Sequence, residues 1–84
     1  MSTTVTNDEV LAAIRDELAA IKVPGAEEAT AETTWADLDV DSLDLVELVK
    51  ALEDRFEVSI SDDSLKGIAS VGDAIDVVTS LRGA

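Results

Sequence analysis

Apolar residues recur along this chain with a helical period in three places. Val10, Leu11, Ile14, Leu18 and Ile21 fall within an arc of about 100° when successive residues are turned by about 100°. That pattern predicts an amphipathic helix from about residue 7 to 22. Thr6 and Glu9 have the spacing of a capping box at its start, and Pro24-Gly25 should stop it. Leu45, Leu48, Val49, Leu52 and Phe56 make a second stripe, predicting a helix from about Ser42 to Phe56. Val71, Ala74, Ile75, Val78 and Leu81 make a third, opened by Ser70-Val71-Gly72-Asp73 and followed by Gly83. Ser61-Asp62-Asp63 can cap one short helical turn through Leu65 and Lys66, closed by Gly67.

The one candidate for a strand is Val58-Ser59-Ile60. Single-face helices must bury their stripes against one another, so the expected fold is all-α: a small four-helix bundle of three longer helices and one short one. Residues 1–84 are too few to divide, giving one domain with a frayed start at residues 1–5. Residues 24 to 41 form a long connection, in which residues 26–32 could hold a loose helical turn or two. A loop of this length needs pinning. Trp35 and Leu38 are the apolar residues available for it, and Trp35 is expected to be a packed anchor rather than an exposed ligand contact.

The second helix carries more than its core stripe. Leu43, Val46 and Lys50 project more than about 90° from the middle of that stripe, with Glu47, Glu53 and Asp54 around them. Two apolar side chains ringed by carboxylates fit a partner footprint, a small anchor with a polar rim. They also fit the scattered exposed apolar residues that most surfaces carry.

Composition narrows the chemistry. Nineteen acidic and six basic residues give a net charge of −13. Phosphate contacts need clustered Lys and Arg, so nucleic acid is not an expected partner. An anionic membrane surface would repel the chain, and partners should present basic patches. There is no cysteine and no histidine, which removes disulfides, thiolate chemistry, the commonest metal ligands and the usual general base. No apolar run is long enough for a membrane span and no signal peptide is visible, so a cytoplasmic protein is expected. Asp37-x-Asp39-x-Asp41 has the opening spacing of a calcium-binding EF-hand loop. The required Gly and Glu are replaced by Ser42 and Leu48, and Leu45 takes a ligand place. Weak divalent binding by clustered carboxylates is the more reasonable expectation. Ser42 has carboxylates as its sequence neighbours and no histidine anywhere to activate it, so it is a poor catalytic nucleophile. It could instead be a substrate for another protein's machinery.

Leu38-Asp39-Val40-Asp41-Ser42-Leu43-Asp44-Leu45-Val46-Glu47-Leu48 resembles the attachment motif of acyl carrier proteins. The similarity continues through Leu52-Glu53-Asp54-Arg55-Phe56, Val58 to Asp63 and Ser70 to Ala74. Many members have Gly where this chain has Asp39, and the variant looks like bacterial, especially actinobacterial, fatty-acid carriers. Lys50 stands where many members have an apolar docking residue.

The resemblance implies that Ser42, flanked by Asp41 and Leu43, carries 4′-phosphopantetheine through a phosphodiester, and that the arm's thiol holds acyl groups as thioesters. It implies a docking surface of Asp39, Asp41, Leu43, Asp44, Val46, Glu47, Lys50, Glu53 and Asp54, and helices that part to shelter an acyl chain. The implied partners are a phosphopantetheinyl transferase (holo-ACP synthase) and the enzymes of dissociated fatty-acid synthesis: ketosynthase, malonyl/acyl transferase, ketoreductase, dehydratase and enoyl reductase. The chain itself would be a monomer and not an enzyme. A polyketide-synthase or peptidyl carrier is the alternative within this class. An unmodified acidic adaptor or weak calcium-binding module is the alternative outside it.

Overall fold

The computed structural model describes residues 6–83, so the frayed start expected at residues 1–5 lies outside them. Four α-helices follow in order: α1 (Asn7–Ala20), α2 (Ser42–Phe56), α3 (Asp62–Lys66) and α4 (Val71–Gly83). Among the described residues there is no strand, and Val58-Ser59-Ile60 is irregular. The expected small helical bundle is what forms.

Helix α1 starts on the capping box read from its sequence. The Glu9 backbone N–H donates to Thr6 Oγ1 at 3.2 Å, and the Glu9 carboxylate accepts from the Thr6 N–H at 3.5 Å. The helix ends at Ala20, before Pro24 has any effect. Lys22 takes a left-handed conformation (φ 62), and the Val23 N–H donates to the Leu18 carbonyl at 3.0 Å. These are the marks of a Schellman stop, which places an apolar residue just beyond the left-handed one. The same arrangement closes α2, where Glu57 has φ 56 and the Val58 N–H donates to Glu53 O at 3.1 Å.

The buried interior is aliphatic. Val10, Ala13, Ile14 and Leu18 of α1 meet Leu48 and Leu52 of α2 and Val71, Ala74, Ile75 and Val78 of α4. Leu81, expected on the α4 core face, is instead 51% exposed. It lies at the edge of that stripe and in the last turn.

The connection between α1 and α2 contributes to this core. It contains a 3-10 turn at Ala26–Glu28, within the stretch where loose helix was expected. Ala26, Ala29, Trp35 and Leu38 are all buried. Trp35 is the expected anchor: it is 6% exposed, and its indole Nε1–H donates to the Ile68 carbonyl at 3.2 Å. Further bonds join the connection to the start of α4. Val71 N–H donates to Thr33 O and Gly72 N–H to Ala31 O, both at 2.8 Å, beside an antiparallel bridge between Thr34 and Ser70. Arg15 Nε adds a bond from α1 to Ala29 O at 2.7 Å.

Candidate functional site

Three aspartates lead into α2, and each has a separate local task. The Asp37 carboxylate accepts from the Thr34 N–H at 3.3 Å while Thr34 Oγ1 accepts from the Asp37 N–H at 3.1 Å, closing a turn. Asp39 sits in the left-handed region (φ 60), and Val40 N–H donates back to Trp35 O at 2.9 Å. Aspartate tolerates that conformation better than most side chains, and glycine better still. This accounts for Asp39 standing where glycine is common in acyl carrier proteins. Asp41 caps α2, its Oδ1 accepting from the Asp44 N–H at 2.9 Å. Among the described residues no three carboxylates converge as metal ligands.

Because Asp41 supplies the cap, the Ser42 hydroxyl is not needed for it. Ser42 is the first residue of the helix and is exposed. A hydroxyl at that place can be reached from solvent and lies at the positive end of the α2 dipole, which favours an anion attached there. Leu43 beside it is 77% exposed, and Val46 one turn on is 36% exposed. Leu43, Val46, Glu47, Lys50 and Asp54 are all exposed and fall within an arc of about 100° on α2. Asp44 flanks this arc on one side and Glu53 on the other.

Two charged residues near this face have structural tasks that the sequence did not show. The Glu53 carboxylate accepts from the Ile60 N–H at 2.8 Å, tying the α2–α3 link to α2. Arg55 reaches Asp16 and Glu17 of α1, at 3.5 and 3.6 Å. It therefore joins two helices. Exposed pairs of this kind contribute roughly 0–1 kcal/mol.

Next to Ser42 lies a cleft of about 290 Å³ between α2 and the α3 region. Ser42, Leu45, Val46, Leu65, Lys66 and Ile68 line it. Sequence reasoning placed Ser42 and Val46 at the site and missed the other four, reading Leu45 as core and Leu65 and Lys66 as a short helix and leaving Ile68 unassigned. Ile68 is an isolated apolar residue outside every helical stripe, and Lys66 comes to the site only through the folding of α3 against α2. The lining is apolar toward the core and polar at the mouth. An exposed hydroxyl at such a mouth suits a flexible chain attached to Ser42, and the residues present fit that group without any further chemistry of their own.

Comparison with known proteins agrees with this geometry. A family model described as "phosphopantetheine attachment site" matches residues 8–78. The chain is 51% identical over 47 residues to an acyl carrier protein of Prochlorococcus marinus (strain MIT 9515). That alignment covers 56% of this chain and 59% of the relative, so it spans a little over half of each. An exposed serine freed from capping, on a small helical bundle matched across most of its length, leads to one assignment: the chain belongs to the family marked by a phosphopantetheine attachment site.

Proposed function

We propose that this protein carries acyl intermediates for the enzymes of fatty-acid synthesis, and that Ser42 bears the 4′-phosphopantetheine arm. The observation that carries this reading is the division of labour at the start of α2. Asp41 satisfies the helix, and Ser42 is left exposed at the mouth of a cleft that leads toward aliphatic side chains. The arm supplies a thiol, which a chain without cysteine lacks. Everything else falls to the protein's own residues. Leu43 and Val46 offer apolar anchors, and Asp44, Glu47 and Asp54 offer charge that steers basic partner surfaces. Leu45, Leu65 and Ile68 line a route by which an apolar chain can leave water. Lys50 lies within this face, which favours partners with an acidic or polar group opposite it. The catalytic groups for the chemistry are those of the partner enzymes.

The test is intact mass after co-expression with a phosphopantetheinyl transferase. Wild type should gain the mass of one arm and Ser42→Ala should gain none. Since Ser42 is exposed and does not cap α2, Ser42→Ala should lose less than about 0.5 kcal/mol of stability. A folded wild type left unmodified by several transferases would sink the carrier reading.

A further inference from the structure

The geometry points to Lys66 as a positioning residue for the anion on Ser42: its ammonium group holds the phosphodiester of the arm at the mouth of the α2–α3 cleft. This rests on the proposal that Ser42 is the attachment point.

The argument begins with charge. The chain has 19 acidic residues against 6 basic ones. A phosphodiester on Ser42 adds a negative charge within two residues of both Asp41 and Asp44. Asp41 holds its carboxylate on the first turn of the same helix, accepting from the Asp44 N–H at 2.9 Å. The two aspartates therefore repel the new charge, and the α2 dipole offsets only part of that repulsion. Lys66 is the charged residue among the five that line the cleft with Ser42. It is exposed, so its long stem can follow the anion without loss of packing. It comes from α3, so its pairing with a group on α2 would bridge the two helices that bound the cleft. Lys50, the basic residue on α2 itself, is set two turns away, about 12 Å along the axis from Ser42. That is beyond contact and beyond the screening length of about 8 Å at physiological salt. A contact with Lys66 fixes the first atoms of the arm at the cleft mouth, so that the rest either enters toward Leu45, Leu65 and Ile68 or swings out to a partner.

The test is a cycle between modification and charge. Wild type, Lys66→Gln and Lys50→Gln are each prepared without and with the arm, and intact mass first establishes that the arm is present. Thermal melting and the ³¹P chemical shift of the phosphodiester are then recorded at low salt and at about 1 M NaCl. If Lys66 pairs with the phosphodiester, attaching the arm lowers the melting temperature of Lys66→Gln more than that of wild type. The expected excess is on the order of 1–4 °C, the scale of one exposed pair in a domain of this size. High salt should abolish the excess and move the wild-type ³¹P shift to the value of Lys66→Gln. Lys50→Gln should keep the wild-type shift. Equal ³¹P shifts and equal melting changes for wild type and Lys66→Gln at low salt would overturn the role of Lys66 while leaving the attachment intact. Equal effects from both lysines would overturn a local contact in favour of the general field. Absence of the mass gain would remove the attachment reading and this one with it.

Discussion

Residues 21–41 hold a single 3-10 turn, yet they are fixed at many points. Residues 57–67 hold a true helix, α3, yet none of the described side chains there is fully buried. A cleft of about 350 Å³ opens beside Lys22 and Glu27 of the connection, and clefts open on two sides of α3. One cleft, of about 290 Å³, faces Ser42 and α2. The other, of about 400 Å³, lies between the α3 region and α4 and is lined by Ser59, Ser61, Ser64, Asp76, Val77, Ser80 and Leu81. Regular secondary structure is therefore not what distinguishes the firm region from the loose one. The firm region buries an indole and ties its backbone to the start of α4. The loose region leans on the half-buried Leu65 and on the bond from the Ile60 N–H to Glu53. On the proposed function, sheltering and releasing a chain calls for one wall that stays and one that yields; the connection is the better tied of the two and α3 the less tied.

The sharpest way to break that contrast is to remove the anchor of the firm region. Trp35→Ala deletes a buried indole and leaves the Ile68 carbonyl without its donor, at a cost of about 3–5 kcal/mol. Domains of this length have roughly 4–12 kcal/mol of stability in all. Urea denaturation should therefore show a midpoint lowered by a large fraction of its wild-type value at unchanged slope. A loss below about 1 kcal/mol would mean that the connection is held without Trp35.

Gly72 is the next place to press. A Cβ there would lie 2.7 Å from the Ala31 carbonyl oxygen, which is backbone and has little room to retreat. The bond from the Gly72 N–H to that same oxygen shows how closely the two segments approach. Gly72→Ala should cost about 1–2 kcal/mol, even after the gain in helix propensity from replacing glycine. A variant more stable than wild type would show that the connection can slide away from α4, and the contrast would lose its basis.

How much of this was legible in the sequence follows from what makes each contact. The helices announced themselves because their stripes and caps are side-chain patterns: Thr6 with Glu9, Ser70 with Asp73, and Leu48 with Leu52. Asp73 N–H does donate to Ser70 Oγ at 3.2 Å, as the box-like spacing implied. The route of the connection was hidden because its partners are the carbonyls of Ala29, Ala31 and Thr33, which every residue type possesses. Trp35 and Gly72 are the traces it leaves in residue identity, and Trp35 alone was conspicuous. The exposed face of α2 was legible for a similar reason, since Leu43 and Val46 lie on one helix with a fixed period and are exposed. The cleft beside it needed α3 in place, so Lys66 and Ile68 could not be seen. The early end of α1 was missed because Lys22 does the work usually given to glycine.

On the loose side the same kind of truncation should matter less. Leu65 is half-buried and packs on the edge of the core. Leu65→Ala removes partly exposed methyl groups facing a cleft that already exists, and should cost about 1 kcal/mol, or about 4–8 °C in melting temperature. A loss of 3 kcal/mol or more would place α3 among the firm elements.

The smallest effect has the opposite sign. Glu57 ends α2 in the left-handed region, where a β-carbon is crowded by the backbone. Glycine meets no such penalty, although it has more freedom to lose on folding. Glu57→Gly should therefore gain about 0.5–1 kcal/mol, read as a rise in the urea midpoint at unchanged slope. It also removes one negative charge from a chain at −13, which acts in the same direction by lessening self-repulsion. Glu57→Gln separates the two causes, since it removes the charge and keeps the strained backbone. If Glu57→Gln matches the gain of Glu57→Gly, the left-handed stop is not strained. If Glu57→Gly gains more, the entry to α3 carries a backbone cost at Glu57.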